Sequence, residues 1–126
     1  MSLHGAIQVR LAAEVSGVSG RVYRQTLPQN PTLPACVYSV YANDRLHDLD
    51  GPDGLAEVTV KVTTWADKHS TAKTNADAAR VALDGWSGTA DSTTVHAAEI
   101  ENERDVYDPE LVYFGVDQDF LVWYEE

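Results

Sequence analysis

Three things are scarce in this sequence: cysteine, basic residues and long apolar runs. There is one cysteine, Cys36, so no disulfide can form within the chain. It falls in a predicted strand with no charged neighbour to lower its pKa. It therefore reads as a small packed group in a reducing compartment and not as a nucleophile. Nine basic residues stand against 20 acidic ones, a formal net charge of -11. Such a balance disfavours nucleic-acid binding, which needs Lys and Arg to displace counterions from phosphates. Apolar runs such as Leu111 to Val116 have strand length, so no transmembrane helix is expected. Arg10 and Glu14 interrupt the stretch where a signal peptide would need an unbroken apolar segment, so none is expected.

Catalytic and metal motifs are missing as well. The sequence has no G-x-S-x-G, no glycine-rich phosphate loop and no G-x-G-x-x-G. His4, His47, His69 and His96 lie in separate segments without ligand spacing, which argues against zinc. The carboxylate-rich run from Asp48 to Gly54 has the wrong register for a calcium loop. Counted from Asp48, the fifth position is Pro52 and the twelfth is Thr59. The expectation is therefore no metal, no cofactor and no enzyme.

What is present is an ordinary globular composition in 126 residues, with 44% apolar and 23% charged. That length fits one domain, residues 1–126. The charge is uneven. Residues 1–83 hold eight bases and eight acids, whereas residues 84–126 hold twelve acids and only Arg104 as a base.

Leu3, Ile7, Leu11 and Val15 recur every four residues and predict a helix over 2–15, with Gly17 at its stop. A short extended piece follows around Val22 and Tyr23. Pro28, Pro31 and Pro34 then exclude helix and central strand. Residues 35–43 are rich in β-formers. Residues 46–54 are dense in turn formers and predict a long projecting loop. Val58, Val60 and Val62 alternate with Glu57, Thr59 and Lys61, the pattern of a half-buried strand. Ala72, Ala76, Ala79 and Leu83 form a stripe of mostly small residues on a helix over 70–84, closed by Gly85. A loop is expected at 88–92, a strand at 95–103 and a turn at 107–110. The last strand, about 111–124, puts Val112, Phe114, Val116, Phe120, Val122 and Tyr124 on one parity.

The order is α-β-β-β-α-β-β. It predicts an α+β domain: a twisted, mostly antiparallel sheet of four to five strands with two helices packed mainly on one face. Trp65, Trp86 and Trp123 each close or follow an element and read as seals of the core edge.

Two surfaces are candidates for contact. One is the loop Leu46, His47, Asp48, Leu49, Asp50, Gly51, Pro52, Asp53 and Gly54. The other is an acidic face, a lumen or docking surface, built from Glu99, Glu101, Glu103, Asp117 and Asp119. The i, i+2 spacing of the three glutamates predicts a single shared strand face.

The run from His47 to Leu55 (HDLDGPDGL) continues into Val58 to Ala66. With the helix ending Ala82 to Trp86, the segment Arg104 to Leu111 and the closing strand ending Phe120 to Tyr124, it resembles the tail terminator proteins of long-tailed phages. These are also called tail-completion or tail-to-head joining proteins. The opening helix and the proline-rich stretch fit the same order, so the resemblance covers nearly the whole chain.

The resemblance implies a structural virion protein of the tail and neck, assembled in the bacterial host's cytoplasm, that forms a homohexameric ring. The ring would sit on the head-proximal end of the tail tube and stop tube polymerisation. Its implied partners are further copies of the chain, the tail tube protein and the head's connector or stopper. DNA would pass through the lumen without specific binding, and no membrane is involved. The family supplies no catalytic residues to carry over. The alternative, of a different class, is a small acidic cytosolic binding module or adaptor, acting as a monomer or dimer through one compact apolar patch.

Overall fold

The computed structural model describes residues 3–125 apart from 19, 28, 30, 31, 49, 50, 91 and 92, and for residues 4 and 41–55 it describes the backbone only. Helix α1 spans Leu3–Glu14 and is followed by a single 3-10 turn, Ser16–Val18. Strands β1 (Val22–Arg24), β2 (Ala35–Asp48) and β3 (Gly51–Ala66) precede helix α2 (His69–Leu83). Strands β4 (Gly88–Ala90), β5 (Thr93–Asp108) and β6 (Tyr113–Glu125) complete the chain.

The six strands form one sheet in the order β1-β2-β3-β6-β5-β4. Every neighbouring pair is antiparallel except β1 with β2. Helix α2 lies over β3, β6 and β5. Helix α1 touches α2 and also β1 and β4, the two outermost strands. One helix can reach both edges of a sheet only if the sheet curls round it. The architecture is therefore a half-barrel with the helices in its concavity.

The core forms where the expected periodicities meet. Leu3, Ile7, Leu11 and Val15 are buried, as are Ala72, Ala76, Ala79 and Leu83. They pack with the concave side of the sheet, where Val58, Val60, Val62, Phe120 and Val122 are fully buried. Small side chains on α2 let its backbone approach the strands closely. Gly17 serves a similar purpose, since a Cβ there would collide with the Asn75 side chain on α2.

The C-terminal end of α2 is secured on two sides. Gly85, at φ +80°, donates its N–H to the Ala98 carbonyl (2.7 Å), and the Asp84 carboxylate accepts the N–H of Ile100 (3.0 Å). Arg10 of α1 donates to the Ala82 carbonyl (2.9 Å) and lies 5.3 Å from the Trp86 ring centroid. A guanidinium is electrostatically suited to the negative end of a helix.

Four expectations need correction. The sheet has six strands, not four to five, and one of its pairings is parallel. Residues 88–90, expected as loop, pair with β5 as a short edge strand in which Thr89 faces Thr94. The predicted loop at 46–54 is largely strand: β2 and β3 stay paired as far as Asp48 and Gly51, leaving only Leu49 and Asp50, which lie outside the described residues. A ladder between two neighbouring strands tolerates turn formers at its distal end, where no third strand demands regularity.

The last strand begins at Tyr113 and not at Leu111. The Asp108 carboxylate accepts the N–H groups of Glu110 (3.0 Å) and Leu111 (3.2 Å) and shapes a turn. Val112 then sits at φ +57° and is exposed instead of entering the core.

Candidate contact surfaces

The first candidate surface follows from the different lengths of the ladders. β3 pairs with β6 only from Leu55, opposite Glu125, onward. β2 and β3 continue past that point through the pairs His47 with Pro52 and Asp48 with Gly51. The hairpin therefore projects beyond the body as a two-stranded arm. At about 3.3 Å per residue, the four steps from Leu55 to Gly51 give a reach of roughly 13 Å. Register shifts lie between Tyr41 and Asp44 and between Arg45 and His47, so the arm carries irregularities near its root and its tip. The seven described residues of the nine in the expected loop, Leu46, His47, Asp48, Gly51, Pro52, Asp53 and Gly54, lie beyond Arg45 and Ala56, the last β2–β3 pair that β6 also flanks. Leu49 and Asp50 lie outside the described residues.

The second candidate surface is divided by the sheet. Glu99 stands opposite Leu121, whereas Glu103 stands opposite the buried Gln118. Opposed residues share a face, so the two glutamates lie on opposite sides of the sheet. A bulge between Ile100 and Asn102 causes the switch, and Glu101 falls within it. The single glutamate face expected from i, i+2 spacing is thus corrected.

Glu103 looks toward α2. Its carboxylate accepts hydrogen bonds from Lys73 (2.7 Å) and from Gln118 Nε2 (2.8 Å). The Lys73 bond is the main reason its pKa lies below the usual carboxylate value, and the Gln118 bond adds to the effect. Gln118 also donates to the Ala76 carbonyl (2.9 Å), which joins β5, β6 and α2.

Asp117 is an integral part of the sheet's convex side. It is 5% exposed and accepts a hydrogen bond from Thr63, its directly opposed partner on β3. Lys61 approaches its carboxylate to 3.4 Å and Arg104 to 3.2 Å. Arg104 also reaches Asp119 at 3.5 Å. Thus Asp117 and Asp119 are offset by two cations from the flanking strands. Of the five acidic candidates, Glu99 and Glu101 are exposed and have no cation partner among the described residues.

The same convex side holds a concavity of about 250 Å³, with Val37, Thr63 and Trp65 in its floor and Leu27 and Leu111 in its walls. Trp65 lies across Gly115, its opposed partner, and its ring is 6.4 Å from that of Tyr113. Leu111 and Val112 at this end are more than half exposed, as is Tyr107, which stands opposite Phe114 on the other side of the sheet. Trp123 donates to Glu57 across the ladder (3.0 Å). Trp65 and Trp123 therefore dress the convex side, while Trp86 seals the end of α2 against Arg10.

Reading the sequence missed Lys61, Thr63 and Arg104 as partners of Asp117. The available signal was slight: two polar residues on the outward parity of β3, and the only base after residue 83. Among the described residues, no group of three or more His, Cys, Asp or Glu could hold a metal ion. Cys36 is buried beside Thr64, and burial pushes its thiol up to about 11.

A curled six-stranded sheet holding two helices, with a projecting β-arm, defines an α+β half-barrel class. The same fold occurs in a chain of the "Virion of native gene transfer agent (GTA) particle". The two superpose with a TM-score of 0.75 over 99% of this chain and 96% of that one, at 20% sequence identity.

The family model described as Tail completion protein gp17 matches residues 5–125, and the chain belongs to that family. It is a structural protein of the virion tail. No curated protein matches it in sequence.

Proposed function

We propose that copies of this chain form a closed sixfold ring on the head-proximal end of the tail tube, in the neck of the particle. The ring stops further tube subunits from adding and presents its other side to the head's connector or stopper protein. Assembly takes place in the bacterial host's cytoplasm, and the work is done by shape-matched surfaces, without catalysis.

The observation that carries this reading is the β2–β3 arm. A ring requires one patch to bind a different patch on the next copy, with a rotation that closes. An arm projecting past the sheet is suited to reaching such a neighbour, because it need not distort the body from which it springs. Capping further requires one ring side to match the tube end and the other not to, so that growth ends.

The acidic excess of residues 84–126 keeps DNA from adhering as it passes through the lumen. Glu99 and Glu101 supply this repulsion, because Lys61 and Arg104 offset Asp117 and Asp119. Replacing both Glu99 and Glu101 by Lys should slow DNA passage and leave assembly intact. Particles that eject at the normal rate would remove this part of the reading.

The ring itself is tested by mixing the purified protein with tail tubes of open length and imaging the ends. The expected result is sixfold density at one end only, with tube lengths fixed. Free growth at both ends in the presence of the protein would refute capping and leave the adaptor reading in its place.

A further inference from the structure

β5 is the second strand from one edge of the sheet, and most of it has no neighbour on its outer side. β4 pairs with it only from Thr93 to Val95. The end of α2 covers the next outward groups: the Ala98 carbonyl accepts from Gly85, and the Ile100 N–H donates to Asp84. Beyond Ile100 no strand among the described residues flanks this side, and β5 runs on to Asp108 paired with β6 alone.

The register fixes which backbone groups this leaves open. In an antiparallel ladder, alternate residues turn both N–H and C=O toward the partner or away from it. Ile100, opposite Phe120, faces away, as its bond to Asp84 shows. Gln118, Val116 and Phe114 share the parity of Phe120, so Glu103, Asp105 and Tyr107 opposite them also face outward. Those three residues are exposed, and the bulge between Ile100 and Asn102 lies before them, not among them. Such an edge is a template for one more strand.

The charge beside the edge decides which strand can use it. Residues 99–110 hold six acids and one base, Arg104, and Arg104 is held by Asp117 and Asp119. From α2, Lys73 meets Glu103 and Asp77, and His69 meets Asp105. Glu101 at one end of the open run and Glu110 beyond the other have no cation partner among the described residues. Acids along an edge keep neutral and acidic strands off, and they attract a basic one. A second copy is a poor occupant. The opposite open edge, β2 beyond Tyr38 where β1 stops, carries Asp44 and Asp48 against Arg45.

We propose that the outer edge of β5, from Glu101 to Asp108, takes an extended segment of another protein of the particle, with lysine or arginine at alternate positions. The segment adds to the sheet as a further strand. Its backbone bonds to Glu103, Asp105 and Tyr107, and its cations approach the acids beside them. This surface does not depend on the ring reading.

The test follows backbone hydrogen exchange in the full chain. One probe is a capped peptide of alternating lysine and threonine, long enough to span Glu101 to Asp108; the other is its counterpart with glutamate in place of lysine. The lysine peptide should slow exchange at Glu103, Asp105 and Tyr107, and the glutamate peptide should not. Arg104 and Val106 point to β6 and should change little. Asp105→Pro removes one outward donor and keeps the β6 ladder, so it should weaken the lysine peptide about fivefold, the worth of one hydrogen bond. Asp105→Lys with Glu110→Lys changes two exposed side chains and should lose the lysine peptide and gain the glutamate one.

Lysine-peptide binding without protection of the three amides would mean charge attraction alone and would overturn the proposal. So would undiminished binding by a folded Asp105→Pro variant. Equal protection by both peptides would overturn the basic occupant. Protection that rises with chain concentration and without peptide would give the edge to a second copy instead. Each measurement uses the isolated chain, so failure of the ring reading would leave its result intact.

Discussion

Gly115 and Trp65 face each other across the β3–β6 ladder, and the absence of a side chain on Gly115 is what lets the indole lie over it. A Cβ on Gly115 would sit 2.8 Å from the Trp65 ring and 3.0 Å from Val106. Gly115 does not adopt a positive φ, so a substitution here acts by crowding alone. Gly115→Ala should cost about 1–2 kcal/mol, since overpacking outweighs the gain in strand propensity. Urea unfolding measures the loss. In a Trp65→Leu background the same substitution should cost much less, because the two effects couple only through contact. An equal cost in both backgrounds would show that the crowding lies elsewhere.

Asp117 offers a contrast between two substitutions. Asp117→Asn retains an acceptor for the Thr63 hydroxyl and loses the attraction of Lys61 and Arg104. Both cations are more than a third exposed, so that loss should be small, about 1 kcal/mol. Asp117→Ala also strands the buried hydroxyl and should cost about 2–3 kcal/mol. Thermal unfolding of both variants orders them, and a reversed order would mean that the cations dominate. The residue is therefore unsuitable for testing charge in a lumen, since its replacement perturbs the sheet first.

Much of the fold can be read from local pattern, and the misreadings share one cause. The stripes Leu3-Ile7-Leu11-Val15 and Ala72-Ala76-Ala79-Leu83 are set by helical spacing alone, and each is buried as expected. The parity of Val58, Val60 and Val62 likewise follows from the strand period. Parity fails where the chain departs from regular strand over one or two residues. The Asp108 carboxylate turns the chain before Val112, and the bulge after Ile100 sends Glu103 to the opposite face from Glu99. The turn at 107–110 is marked in the sequence, but its extension through Val112 and the bulge after Ile100 are not. The arm was misread because glycine, proline and aspartate signal a turn whether the turn is long or confined to two residues. Among the candidate site residues, what the sequence hid was partnership: Asp117 meets cations from two other strands, 56 and 13 positions away.

Acid should act on stability through Glu103. Its folded-state pKa is lowered, first by the Lys73 hydrogen bond and then by that from Gln118. A depressed carboxylate pKa stabilises the fold above the unfolded-state value, and the contribution disappears as pH falls through the folded-state value. Wild type should therefore be more stable than Glu103→Gln at neutral pH. The gap should narrow as the pH drops through and below the ordinary carboxylate range. Thermal unfolding of both proteins from neutral to acid pH measures this, and a gap independent of pH would show that packing rather than charge separates them.

The arm can be removed without touching the body. Arg45 pairs with Ala56 at its root, so residues 46–53 can be replaced by Asn-Gly, which with Gly54 and Leu55 makes a four-residue hairpin loop. The β3–β6 ladder starts at Leu55 and is retained in full, as is the buried core. The shortened chain should therefore unfold at nearly the same temperature as wild type. If the arm reaches the neighbouring copy, the variant should fail to form density at tube ends, and tubes should grow to unregulated length. Normal capping by the shortened protein would show that the ring closes through other surfaces, with the exposed Tyr107, Leu111 and Val112 at the β5–β6 turn the next to be altered.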